Sequence, residues 1–217
     1  SIELGAQSLD DEVLRLSGRG QTTKDVEKAS KLILEHCFSL GLQMMVGLPG
    51  DTPEKSIATV RRIVQLGASC TRIYPTLVIR DTELEQMYLS GKYVPLTLDE
   101  AIETTAEVSG IFEEAGVKIL RIGLHPSEGL LGGESLLAGP FHVAFGELVA
   151  TAQWSAVFRQ KLSGMTPGKR GSLLVEVAPR QLNAAVGHKA ANKQMLLSNF
   201  GQVAFRGNPD LTGRQYN

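Results

Sequence analysis

A chain of 217 residues that is 42% hydrophobic and 21% charged has ordinary globular values, enough for one large domain or one and a half. Disordered and low-complexity classes are thereby excluded. No apolar run reaches the roughly 18 to 20 residues that span a bilayer, and Ser1-Ile2-Glu3-Leu4 lacks the basic, apolar pattern of a secretion signal. The two cysteines, Cys37 and Cys70, lack metal-ligand spacing, so a reducing, cytoplasmic setting is expected, with no membrane partner and no metal held by this chain. The chain opens on Ser1 within an apolar run, and it is expected to be a piece of something longer. The net charge of −1 conceals an asymmetry. Residues 163–217 carry Lys169, Arg170, Arg180, Lys189, Lys193, Arg206 and Arg214 against Glu176 and Asp210, a balance of +5 that leaves −6 on residues 1–162. A basic tail on an acidic body either meets nucleic acid or is a solvated surface.

Strand and helix patterns alternate through the first 125 residues. Ile2 to Gln7 reads as a short buried strand, and Leu9 to Leu16 as a helix broken by Ser17-Gly18-Arg19-Gly20. Thr22 or Thr23 caps the next helix, with Val26, Ala29, Leu32, Ile33 and His36-Cys37 at helical spacing and Gly41 as its stop. Leu42 to Val46 is a strand running into Gly47-Leu48-Pro49-Gly50. Thr52 caps a helix with Pro53 at its first position, where a missing N–H does no harm, and with Ile57, Val60, Ile63 and Val64 as its stripe. A strand over Cys70 to Ile79 follows, then a helical excursion from Asp81 to Ser90. Thr97-Leu98-Asp99-Glu100 is a capping box whose helix runs to about Ala115, stops at Gly116 and gives way to a strand over Val117 to Gly123. This alternation predicts an α/β fold of parallel βα units. Ligands in such sheets collect at the C-terminal strand ends, so chemistry is expected in the loops after Gln7, Val46, Ile79 and Gly123.

Residues 126–137, with Gly129, Gly132 and Gly133, read as a loop. Ala138 to Leu162 reads as one long helix, with Phe141, Phe145, Leu148, Val149, Ala152 and Ala156 as a core or docking stripe. Ser163 to Ser172, with Pro167, is the linker candidate. Leu173 to Val177 then reads as a strand, Pro179 to Val186 and Ala191 to Asn199 as helices, and Val203 to Arg206 as a strand. Three segments result: 1–125, a docking segment at 126–165, and a small basic unit at 166–217.

Specific signals sit at the strand ends. Glu3-Leu4-Gly5-Ala6-Gln7-Ser8, followed by Arg19-Gly20, offers an amide at a strand end and a guanidinium that can pair a carboxylate bidentately. Gln43, Met45 and Gly47 lead into Leu48-Pro49-Gly50-Asp51-Thr52-Pro53, where Gly47 permits close backbone approach to a flat ligand. Arg72-Ile73-Tyr74-Pro75-Thr76-Leu77 supplies an apolar wall. Each has a plain structural alternative, since a strand-end Gln often anchors a loop and a Gly-Leu-Pro-Gly turn is often only a turn.

In combination, Glu-Leu-Gly-Ala-Gln-Ser, Gly-Arg-Gly, Gly-Leu-Pro-Gly-Asp-Thr-Pro-Glu and Arg-Ile-Tyr-Pro-Thr-Leu-Val-Ile-Arg-Asp-Thr-Glu-Leu resemble the second half of a radical S-adenosylmethionine enzyme. The resemblance covers about residues 1–125. It points to the group of the Elongator catalytic subunit, with oxygen-independent coproporphyrinogen oxidases as cousins, and Gly91-Lys92-Tyr93 favours the Elongator side. It implies the C-terminal half of an incomplete (β/α)₆ TIM-like barrel, roughly its last three strands, with the N-terminal half as the missing partner. It also implies a cofactor, S-adenosylmethionine, with Gln7 and Gln43 at its ribose, Arg19 at its carboxylate, and Met45 and Leu77 beside its adenine. In the complete enzyme a [4Fe–4S] cluster, held by Cys-x3-Cys-x2-Cys, would cleave that cofactor to a 5′-deoxyadenosyl radical. This chain has no such motif and is expected to be inactive alone. Gly132-Gly133-Glu134 has the letters of the family's Gly-Gly-Glu segment but follows the last strand, so the match is read as coincidence. The Elongator group modifies the wobble uridine of tRNA with the help of an acetyltransferase domain, which this chain does not display. The alternatives are a coproporphyrinogen-oxidase-like reaction on a small molecule and a non-catalytic RNA-binding module.

Between the two tail helices, Val186-Gly187-His188-Lys189-Ala190-Ala191-Asn192 resembles a degenerate KH module, in which a Gly-x-x-Gly loop clamps a nucleic-acid backbone. The resemblance makes Gly187, His188, Lys189, Asn192 and Lys193 candidate RNA contacts, against a structural βααβ unit that touches no RNA. His125 is either a substrate-contacting group or a loop anchor, His36 a packing residue, and His142 a residue near a helix start with no evident partner. The strand Ile2 to Gln7 would present an open sheet edge. The isolated chain is expected to dimerise through that edge, to aggregate, or to cover it with the long helix over 138–162.

Overall fold

The computed structural model of the chain describes residues 1–126, 128–163 and 170–217. They form two units, Ser1–Phe145 and Gly146–Asn217. The expected linker falls largely on residues 164–169, outside the described residues.

The first unit is α/β. Its parallel sheet contains β1 (Ile2–Gln7), β2 (Leu40–Val46), β3 (Cys70–Pro75) and β5 (Lys118–Ile122), neighbours in that order. Four strands are parallel, matching the four strand segments read from the pattern, whereas the resemblance implied roughly three. Between them run α1 (Asp11–Leu16), α2 (Thr23–Glu35), α3 (Pro53–Gln65), α4 (Glu83–Leu89) and α5 (Leu98–Glu114). Local chemistry sets the helix starts. Thr22 and Thr97 each close a capping box, with Asp25 and Glu100, and Thr52 caps α3 ahead of Pro53. The end of α2 comes earlier than Gly41, because His36 is its C-cap and Cys37 adopts φ 60°. Gly41 lies inside β2, where a side chain would strike Glu3 and Cys70.

One face of the sheet is dry. Leu40, Leu42, Met44 and Val46 of β2 and Ile73 of β3 meet Val26 and Ile33 of α2, Val60 and Ile63 of α3, and Val108 and Phe112 of α5. Leu32, read as part of the α2 stripe, is instead exposed. The other face carries the alternate residues. The outer edge of β1 has no strand beside it among the described residues.

The single strand expected over Cys70 to Ile79 is two. β3 ends at Pro75, and Thr76 returns its hydroxyl to the Val46 carbonyl at 2.9 Å. β4 (Val78–Ile79) leaves the sheet and pairs antiparallel with β6 (Leu136–Ala138), which follows the short α6 (Glu128–Leu131) within the expected loop.

The second unit holds α7 (Phe145–Leu162), β7 (Arg170–Val177), α8 (Leu182–Val186), α9 (Ala191–Leu197) and β8 (Phe200–Gly207). The helix begins at Phe145 rather than Ala138, after Gly139 takes φ 113° and Pro140 removes a donor. Residues from Gly146 onward therefore group with the tail rather than with a separate segment at 126–165. Of the expected stripe, Phe145 and Val149 are buried, but the stripe did not include the equally buried Trp154 and Phe158. The latter two meet Val175, Val177, Ala185, Leu196 and Val203. Trp154 donates through Nε1 to Gln181 Oε1 at 3.0 Å. β7 and β8 are parallel in continuous register, joined through α8 and α9. Among the described residues no helix is long and apolar enough to cross a membrane.

Candidate functional site

The polar face of the four-stranded sheet is built by strand alternation. Gly5, Gln43, Arg72 and Arg121 share one register row, and Glu3, Gly41, Cys70 and Lys118 share another. Neighbours in register on parallel strands point to the same side. Glu3 accepts from Arg72 Nε at 2.7 Å, from Arg72 Nη2 at 3.3 Å and from Gln43 Nε2 at 3.2 Å. The Arg72 guanidinium, with help from the Gln43 amide, holds the Glu3 carboxyl below its usual range. Glu3 in turn raises the Arg72 pKa further, so Arg72 is a permanent cation. Arg72 and Tyr74 therefore do not form the expected apolar wall; they belong to the polar face.

Gln7 stands at the C-terminal end of β1 with φ 65°, where the β1–β2 register shifts. That turn folds its amide back over Gly5, and a Cβ at Gly5 would lie 2.4 Å from Gln7 Nε2. Gly5 registers with Gln43, so both amides lie on one face. Met45 follows two residues after Gln43, and Arg19 reaches it with Nη2 3.6 Å from Met45 Sδ. Sulfur is a weak acceptor, so this contact leaves the guanidinium free for an oxyanion. The structure thus brings Gln7, Arg19, Gln43 and Met45 to the same side of the sheet.

Two of the expected residues are engaged elsewhere. At Gly47, φ is 76° and the space a Cβ would take is filled by Leu96, so the glycine serves a side-chain contact rather than the approach of a flat ligand. Leu77 is buried, with its Cδ2 3.3 Å from a Cβ built on Gly139.

Sequence reasoning missed what fixes the Gly47 turn. Asp51 accepts from the Gly47 N–H at 2.9 Å, the Thr52 N–H at 2.9 Å and the Ser56 hydroxyl at 2.8 Å. Burial raises its pKa, and those three donors partly offset the rise. Tyr93 donates its hydroxyl to the Gly47 carbonyl at 2.7 Å. Burial, and then the nearby Asp51 charge, pushes Tyr93 up to about 12. An Asp four residues after a strand-end Gly was the available signal; Tyr93 lies 46 positions away and offered none.

In the tail, the loop is where the sequence put it, but most of it is occupied. A Cβ at Gly187 would meet Asn192 N at 2.9 Å and Thr151 Cγ2 at 3.0 Å. The His188 N–H donates to Thr151 Oγ1 at 2.8 Å, and the His188 ring lies 3.3 Å from Glu147. Asn192 is buried and donates to the Thr151 carbonyl at 3.1 Å, so as an RNA contact it is corrected to a packing residue. Lys189, with φ 50°, is exposed. Lys193 lines an open groove of about 660 Å³ with Leu174, Leu197 and Gln202.

His125 is exposed, His36 bonds the Leu32 carbonyl at 2.9 Å, and His142 accepts the Ala144 N–H at 3.0 Å just ahead of α7. As for cofactors, amides and a guanidinium on one face suit the hydroxyls and carboxylate of S-adenosylmethionine. An iron–sulfur cluster needs close thiolates. Cys37 is exposed, Cys70 is buried in β3, and no cluster of three metal-ligating side chains exists among the described residues, so this donor set does not fit one.

Residues 68–153 match the radical SAM C-terminal domain. A tRNA uridine(34) acetyltransferase of Dehalococcoides mccartyi is 38% identical over 97 residues, which are 43% of this chain and 21% of that protein. Elongator complex protein 3 of Homo sapiens is 31% identical over 110 residues, 49% of this chain and 20% of that protein. The solved structure of the archaeal Methanocaldococcus infernus Elp3 with an N-terminal deletion superposes with a TM-score of 0.62 at 28% identity. That match covers 74% of this chain and 36% of the other. The chain spans about a fifth of the length of the curated relatives it matches. Together the matches support a likeness between this chain and the C-terminal radical S-adenosylmethionine region of Elongator-like proteins.

Proposed function

We propose that this chain is the cofactor-positioning portion of a radical S-adenosylmethionine enzyme that modifies RNA, with tRNA as the substrate class. The observation that carries the reading is the meeting of Arg19 and Met45 on the sheet face that also bears Gln7 and Gln43. Arg19 would pair the cofactor's carboxylate, Gln7 and Gln43 would bond its ribose hydroxyls, and Met45 would line its adenine. Gln43 reaches Glu3 through its NH₂, which leaves its carbonyl oxygen as an acceptor. When bound with its cluster, the cofactor supplies hydrogen abstraction; this chain holds and orients it, a proximity role.

The cluster ligands would come from sequence of the longer relatives that this chain does not span. That sequence would also add the strand that covers the open edge of β1, continuing the four parallel strands into a (β/α)₆ barrel. A reducing cytoplasmic setting suits the two free thiols. In the tail, with Asn192 and the Gly187 turn committed to packing, any RNA contact would fall to Lys189 and Lys193.

The test is RNA-dependent turnover. The complete, reduced enzyme should form 5′-deoxyadenosine from S-adenosylmethionine faster when unmodified tRNA is present. Formation stimulated by a small porphyrinogen and indifferent to tRNA would replace this reading with the small-molecule one.

A further inference from the structure

We propose that the β5 side of the polar sheet face is a phosphate-binding site for the substrate's sugar–phosphate backbone, with Arg121 as the principal contact and Lys118 beside it. The proposal rests on the reading that this face receives an RNA substrate. Arg121 sits in register with Arg72 on the adjacent strand. Strands in a sheet lie about 4.8 Å apart, so two guanidinium-bearing residues are direct neighbours, an arrangement that is unfavourable without an anion between them.

The existing anion does not serve Arg121. Glu3 lies two strands beyond Arg72, and its oxygens are turned to Arg72 and Gln43. Arg121 is exposed, and among the described residues it has no ion pair or hydrogen-bonded carboxylate. Lys118 registers with Cys70 in the next row and is likewise exposed. The bulge that skips Leu120 is what brings Arg121 opposite Arg72. Without that extra residue, the alternation of β5 would put a different side chain there.

A lysine on an edge strand is ordinary protection against edge pairing, and Lys118 alone would provide it. An arginine placed against a second, ion-paired arginine does not improve that protection. Its planar fork matches the paired oxygens of a phosphate. Two cations along one strand suit a ligand that presents phosphates in succession, as a polynucleotide does, rather than a single carboxylate.

The experiment uses the complete enzyme and a fluorescently labelled single-stranded RNA, with affinity read by anisotropy across a salt series. Arg121→Ala should weaken RNA binding about tenfold and reduce the log–log salt slope by about 0.7, the value for one phosphate neutralised on a single strand. Arg121→Lys should keep the slope while recovering only part of the affinity. Inorganic phosphate at millimolar concentration should compete with RNA for the wild type and lose that effect in Arg121→Ala. S-adenosylmethionine binding is measured in parallel on each variant. Loss of cofactor binding by the wild type would tell against the cofactor reading, whereas the RNA data alone judge this site. An RNA affinity and slope in Arg121→Ala equal to the wild type would overturn the proposal. So would a slope change found only in a Lys189→Ala, Lys193→Ala double variant, which would move the RNA contact to the tail.

Discussion

Replacing Tyr93 by Phe removes one hydroxyl and leaves the ring in place, and its effect should change size with pH. Tyr93 is 6% exposed, and its hydroxyl donates to the Gly47 carbonyl at the C-terminal end of β2. At neutral pH the variant loses a neutral hydrogen bond and leaves a half-buried carbonyl short of one donor. The expected cost is about 1–2 kcal/mol. In alkali the comparison reverses. Burial pushes Tyr93 up to about 12 in the folded protein, from a usual 10.0. Between those two values the unfolded chain releases its phenolic proton while the folded chain retains it, so raising the pH favours unfolding. Two pH units at 1.36 kcal/mol each make about 2.7 kcal/mol, which the wild type should lose by about pH 12. The Phe variant has no such proton, so its disadvantage should shrink above pH 10 and vanish before pH 12. Urea unfolding followed by circular dichroism at intervals from pH 8 to pH 12 reads this directly. A stability gap that stays constant across that range would refute the argument, because it would mean the phenol is not buried as described.

On the acid side, Arg72 holds the Glu3 carboxyl below its ordinary 4.5. Its contribution is present above that value and lost as pH falls through the depressed one, so Glu3→Gln should flatten the acid limb of the stability curve by about 1 kcal/mol. Urea midpoints of the two proteins between pH 6 and pH 2.5 check this. In the second unit, Trp154→Ala should cost about 3–5 kcal/mol through the cavity it leaves among Phe158, Val175 and Leu196 and the donor lost to Gln181. A circular-dichroism melting series that shows a loss below 1 kcal/mol would place the tryptophan outside the core.

The parts of the fold that could be read in advance are those set by neighbouring residues. Thr22, Thr52 and Thr97 cap their helices through side chains and N–H groups three positions away, and period-two alternation marks β1 and β2. The errors arose where distant contacts decide. The run from Cys70 to Ile79 is β-prone except at Pro75, where β3 ends, and the bond of Thr76 to Val46 and the pairing of β4 with β6 complete the division. The start of α7 was signalled by Gly139-Pro140, but an aromatic stripe running through both sides of that break masked the stop. The polar face was legible only in part. Gln7 sits at a strand end, where any parallel sheet gathers ligands, whereas Gln43 lies in the middle of β2. The pairing of Glu3 with Arg72, 69 positions apart, follows from strand register alone. Likewise, nothing near Gly47 announced that Leu96 fills the space beside it.

Cofactor affinity of the complete enzyme with and without Arg19 tests the central claim most directly. Equilibrium dialysis against labelled S-adenosylmethionine should show Arg19→Ala binding about 10- to 150-fold more weakly, the equivalent of losing a charged hydrogen bond worth about 1.5–3 kcal/mol. Arg19→Lys should restore only part of the loss, because an ammonium cannot pair a carboxylate with two parallel bonds. An Arg19→Ala enzyme that binds the cofactor as tightly as the wild type would contradict the assignment of this sheet face as the cofactor site.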